Sequence, residues 1–114
     1  ESLSSLIKRL EKYVFNLTAV RQQNTLTRAD RNIVQDITQN ISLARAQTEF
    51  SQGDEDAEAR IKGFRLATEQ LQAVIDGILQ ASNHDLVSVI EVTQLTALAE
   101  VCIDRIELLI KEST

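Results

Sequence analysis

The sequence contains no proline, no methionine and no tryptophan; it has three glycines, one cysteine and one histidine, and aromatics make up only 4% of it. Each shortage excludes something. Strands draw on aromatic residues and turns on glycine and proline, so this mix starves both and favours helix. A lone cysteine, Cys102, allows no intramolecular disulfide. A single histidine, His84, cannot supply the two Glu-x-x-His pairs of a di-iron bundle. Haem ligation by methionine and histidine is excluded by the missing methionine, and no C-x-x-C-H occurs. No glycine-rich phosphate loop, zinc-ligand spacing or nucleophile elbow is present. No apolar run approaches the roughly 20 residues that span a bilayer, so no membrane insertion of this segment is expected.

The remaining chemistry-bearing residues read as structural. His84 stands in NHDLVS, a turn-like stretch without the helix-face setting of a phosphorelay histidine. Cys102 falls on an apolar helix seam and is expected to be a small buried hydrophobe. Carboxylate pairs such as Glu49/Asp54 and Glu100/Asp104 are expected to face solvent. The chain is therefore expected to be no enzyme and to carry no cofactor and no metal. It begins with Glu1 and lacks methionine, which reads as a processed chain or a piece of a longer one. The compartment stays open on this evidence, with the cytoplasm slightly favoured.

What is present is ordinary in amount and patterned in order. Hydrophobic residues make up 43% and charged residues 25% of 114 positions, with a formal net charge of −5. Lys8, Arg9, Lys12 and Arg21 outweigh Glu1 and Glu11, so residues 1–24 are mildly basic, whereas residues 54–114 are acidic. An acidic chain with one modestly basic end is a poor nucleic-acid binder, because phosphate neutralisation needs a dense Lys/Arg surface.

Apolar residues recur at helical spacing along the whole chain. Leu3, Leu6, Leu10, Tyr13, Leu17 and Val20 form one stripe, with Ile7 and Val14 beside it. Ile33, Ile37, Ile41, Ala44 and Thr48 form a second, entered at TRAD, where Thr27 and Asp30 make a short-armed capping box. FSQGD marks its end, with Gly53 as a left-handed closing residue. Asp54 reads as the next N-cap, followed by a third stripe of Ala57, Ile61, Phe64, Leu71, Ile75 and Ile78. Gly63 and Gly77 lie inside it two heptads apart, on one edge, and are expected to let a neighbouring backbone come close. Asn83 or Asp85 opens the fourth helix.

These patterns predict an all-α protein: a left-handed, antiparallel, up-down-up-down four-helix bundle in a single domain over residues 1–114. Its helices are expected at about 2–24, 27–52, 54–81 and 85–111, and the connections are too short to cross the bundle. The layout resembles that of extracytoplasmic sensor domains of bacterial chemoreceptors and histidine kinases, a likeness of architecture alone with no shared motif.

The fourth helix carries more apolar residues than one core stripe needs. In VTQLTALAEVCIDRIELLI, Val92, Leu95, Ala99, Cys102, Ile106 and Leu109 make a seam. Val101, Ile103, Leu108 and Ile110 lie off it and become candidate anchors for a protein partner or a second copy of the chain, most simply as a homodimer. The first expectation is thus a non-catalytic interaction or oligomerisation module. The alternative is a ligand-sensing or regulatory domain cut from a larger receptor. In that case Arg21, Arg28 and Arg31, within the polar run RQQNTLTRADRN, would bind an anion or carboxylate.

Overall fold

The computed structural model describes residues 1–21 and 26–114, and of residues 18–21 the backbone alone. Among the described residues the chain is four α-helices without a strand: α1 (Leu3–Arg21), α2 (Arg28–Gln52), α3 (Ala57–Asn83) and α4 (Val89–Ser113).

Each helix starts where a short polar side chain can satisfy free backbone N–H groups. Ser2 Oγ accepts from the Ser5 N–H at 3.2 Å. Thr27 Oγ1 accepts from the Asp30 N–H at 3.1 Å, and the Asp30 carboxylate accepts from the Thr27 N–H at 3.3 Å, so the expected capping box forms. The next two starts differ from expectation. Asp56, not Asp54, caps α3: its carboxylate accepts from the Glu58 N–H, while Asp54 accepts from the Asp56 N–H one step earlier. Helix α4 starts at Val89 rather than near residue 85, because SVIE is a complete capping box. Ser88 Oγ accepts from the Glu91 N–H at 3.1 Å, and Glu91 Oε1 accepts from the Ser88 N–H at 2.7 Å.

The helix ends also differ. Gly53 has φ −87° and stays right-handed, so α2 closes without a left-handed residue. The left-handed position is Asp85, at φ 58°, after α3. There the Leu86 N–H donates to Ala81 O at 2.8 Å and the Asp85 N–H to Ser82 O at 3.0 Å. That is a Schellman motif with Leu86 as its buried apolar residue. It carries α3 two residues beyond the expected stop.

Each helix packs against two others: α1 on α2 and α4, α2 on α1 and α3, α3 on α2 and α4. The diagonal pairs stay farther apart, and the body measures 47 × 23 × 19 Å. The Ser4 hydroxyl near the start of α1 donates to Glu49 near the end of α2, and Ser42 donates to Glu11 at 3.0 Å. Arg45 reaches the same Glu11 carboxylate at 3.5 Å, a half-buried tie between the two helices.

The core is one continuous apolar cluster drawn from all four helices. Every expected α2 position is buried with it, Thr48 included; the Thr48 hydroxyl is fully buried with no hydrogen-bond partner. In α1 the stripe runs through Leu3, Leu6, Ile7, Leu10 and Val14, while Tyr13 turns outward. In α3, Ala67 and Val74 take core places, Ile61 and Ile75 are only partly buried and Ala57 is exposed. Phe64, Ala67, Leu71, Val74, Ile78 and Ala81 keep a regular three/four spacing, so the core takes the flank of the stripe that carries Ala67 and Val74 rather than the one that carries Ile61 and Ile75.

Helices α2 and α3 meet most extensively, and the two glycines explain the approach. A Cβ built on Gly63 would collide with the Ser51 side chain, and one on Gly77 would lie 2.6 Å from Ile37 Cγ1. Gly77→Ala should therefore lower stability by about 1–3 kcal/mol, although alanine is the better helix former. Chemical denaturation measures it. The loss should vanish or reverse in an Ile37→Ala background, and an unconditional gain from Gly77→Ala would refute the close approach.

Candidate interaction surface

Helix α4 is the most apolar of the four and the least sharply divided into two faces. Its buried residues are Leu95, Ala99, Cys102, Ile103 and Ile106. Ile103 stands four residues after Ala99 and three before Ile106, so it shares their stripe and is only 6% exposed. That corrects its expected place as an outward anchor. Ile110, one heptad further, is partly buried against the core and is not an open anchor either.

Val101 and Leu108 do face solvent, at 46% and 51% exposure. Counting about 100° per residue, they point almost directly away from Ala99 and Ile106. Two residues that sequence reasoning left out join them: Ile90, 70% exposed, and Ala97. The spacing Ile90–Ala97–Val101–Leu108 is seven, four, seven, which puts all four on one outward line of about five turns. Gln94 and Asp104 are the polar members of that line, and both are exposed. The signal was present in the sequence, in the same periodicity that gives the core, read half a turn away.

A second apolar patch lies where the end of α2 meets the start of α3. Phe50 is 74% exposed there, beside the outward Leu66, and Leu43 stands one heptad before Phe50. Its groove has charges of both signs, Lys62 and Arg65 with Glu58 and Glu69. The seven-residue step from Leu43 to Phe50, off the Ile37/Ile41/Ala44/Thr48 stripe, is the sequence feature that would have revealed it.

Of the three alternative binding arginines, the structure describes two side chains. Arg28 and Arg31 are exposed on the first turn of α2. The Arg21 side chain lies outside the described residues, as do Gln22, Gln23 and Asn24 of the same run. An apolar cavity of about 30 Å³ lies under Val14, Leu26, Ile37, Ile78 and Leu95. It is far below the several hundred Å³ of an organic-ligand site, and a purely apolar lining gives water no partners.

His84 sits in the turn after α3, with Nδ1 3.0 Å from Asp30 Oδ1. It thus ties that turn to the capping box of α2. Partial burial pulls the Asp30 carboxyl upward, but hydrogen bonds from Thr27 and His84 outweigh it and hold the group below its ordinary value. A depressed carboxyl stabilises the fold above about pH 4 and loses that contribution as pH falls through the folded-state value. Among the described residues, no group of three or more His, Cys, Asp or Glu is placed to hold a metal ion. No helix there is long and apolar enough to cross a membrane. Comparison of the chain with protein-family models, with curated proteins and with solved structures finds no match in any of the three.

Cys102 is fully buried, and burial pushes its thiol up to about 11. It is therefore protonated and enclosed at neutral pH, the opposite of a reactive cysteine. A disulfide reagent at pH 8 should label Cys102 only as the protein unfolds. Rapid stoichiometric labelling of the folded protein would contradict this placement.

Proposed function

We propose that the chain is a non-catalytic helical interaction module that docks through the outward face of α4. In this reading it is one domain, a left-handed, antiparallel, up-down-up-down bundle. The pairing of early α1 with late α2, and of Gly63 and Gly77 with Ser51 and Ile37, supports antiparallel neighbours. The observation that carries the docking role is the solvent-facing line of Ile90, Ala97, Val101 and Leu108. Scattered exposed hydrophobics are common, but here four apolar residues share one outward line over about five turns opposite a core stripe, interrupted by Gln94 and Asp104, and such alignment suits a helix-helix contact. The remaining reactive groups do not compete: Cys102 is enclosed and His84 is engaged with Asp30.

Docking is apolar, and the partner is a protein surface with a complementary ridge. Val101→Glu and Leu108→Glu should leave folding intact, within about 1 kcal/mol, because both positions already face water. Each should abolish association. Ile103→Glu should instead unfold the protein, since it forces an unpaired charge into the core. Circular dichroism with light scattering separates these outcomes. If the two exposed substitutions change neither self-association nor the capture of a partner from the native source, the docking role is wrong.

A further inference from the structure

The outward line of α4 reads the same in chemical class from either end. In order it runs Ile90, Gln94, Ala97, Val101, Asp104, Leu108: apolar, polar, apolar, apolar, polar, apolar. We infer that the occupant of this face is a second copy of the chain, paired α4 against α4 in antiparallel fashion about a two-fold axis level with Ala99. This rests on the docking role proposed above and assigns its partner and register.

A two-fold axis makes a contact isologous, so each residue must suit the residue across from it in both directions. In this register Ile90 lies across from Leu108 of the other copy, and Ala97 from Val101. Gln94 lies across from Asp104, where a carboxamide N–H can donate to a carboxylate. Both polar positions are exposed in the free chain, so pairing draws the Asp104 carboxylate into the seam, where the Gln94 carboxamide is the donor that satisfies it and its desolvation weakens the dimer. Displaced registers lose the match. Shifting by one heptad one way places Asp104 across from Val101; shifting the other way places Gln94 across from Ala97. A parallel pairing sets Asp104 beside its own mate. The small Ala97 near the axis lets the helices approach, while Ile90 and Leu108 close the two ends.

From Ile90 to Leu108 the line covers roughly 27 Å of helix at about 1.5 Å per residue. One helix pair of that length falls at the small end of specific interfaces, so the dimer is weak and concentration-dependent. Glu100 on the flank comes near its own mate, so added salt strengthens the dimer by screening that repulsion.

Sedimentation velocity of the full chain over a wide concentration range tests this with a charge exchange. Gln94→Glu sets two carboxylates across from each other twice per dimer and should weaken association about tenfold. Adding Asp104→Lys to Gln94→Glu should restore it, because the introduced carboxylate then faces an introduced ammonium. Circular dichroism checks that each variant remains helical. Concentration-dependent association with loss and recovery in this order supports the pairing. A wild-type chain that is monomeric at every concentration overturns it; so does a dimer indifferent to Gln94→Glu. If Leu108→Glu abolishes an association that Gln94→Glu leaves untouched, or removes capture of a different protein, the two-fold register fails while the docking role stands.

Discussion

A ring of four helices gives every member two neighbours and one side facing water. That geometry limits how much of any helix the chain can hide, and the rest of the structure follows from how each sequence meets the limit. Helix α2 keeps within it for most of its length: its buried line runs from Ile33 to Ser51, with Leu43 and Phe50 as the exceptions. Helix α4 exceeds it along a whole line. With Leu95, Ala99, Cys102, Ile103 and Ile106 inside, Ile90, Val101 and Leu108 are left facing solvent. Apart from Val89 at the helix start, the excess stands on one side of the helix.

The ring is held unevenly. Helices α2 and α3 approach so closely that side chains of α2 lie over glycines of α3. Helix α1 is tied to α2 through the half-buried Glu11, which meets both Ser42 and Arg45. Among the described residues, contact between α1 and α4 is the least extensive of the four, bridged at the chain start by the Arg105 guanidinium donating to Glu1 O. The proposed partner on α4 would sit beside this seam and brace the helix below it.

Helix number, order and most of the core were legible because spacing and burial are one signal at two levels. Gly63 and Gly77 likewise announced a close approach. Three things were misread, each for a physical reason. Three/four spacing fits two adjacent seams on one helix: the core takes Ile7 and Val14 rather than Tyr13 in α1, and admits Ile103 beside Ala99 and Ile106 in α4. The starts of α3 and α4 were set too early, because Asp54 and Asp85 resemble caps until the rival caps Asp56 and Ser88 are weighed against them. The candidate face was half visible: Val101 and Leu108 were found, but Ile90 and Ala97 were hidden by reading apolar excess as width rather than as a second line. Contacts across distant sequence, such as His84 with Asp30, leave no local trace at all.

The chain has little reactive chemistry and much organised apolar surface, and its account rests on the outward line of α4 being covered in the associated state. Methyl-resolved NMR through a dilution series reads that directly. Methyl signals of Ile90, Ala97, Val101 and Leu108 should shift together as concentration rises, while those of Leu95, Ile103 and Ile106 stay fixed. A series in which no methyl moves, or in which the core methyls move and the outward line does not, would contradict the account.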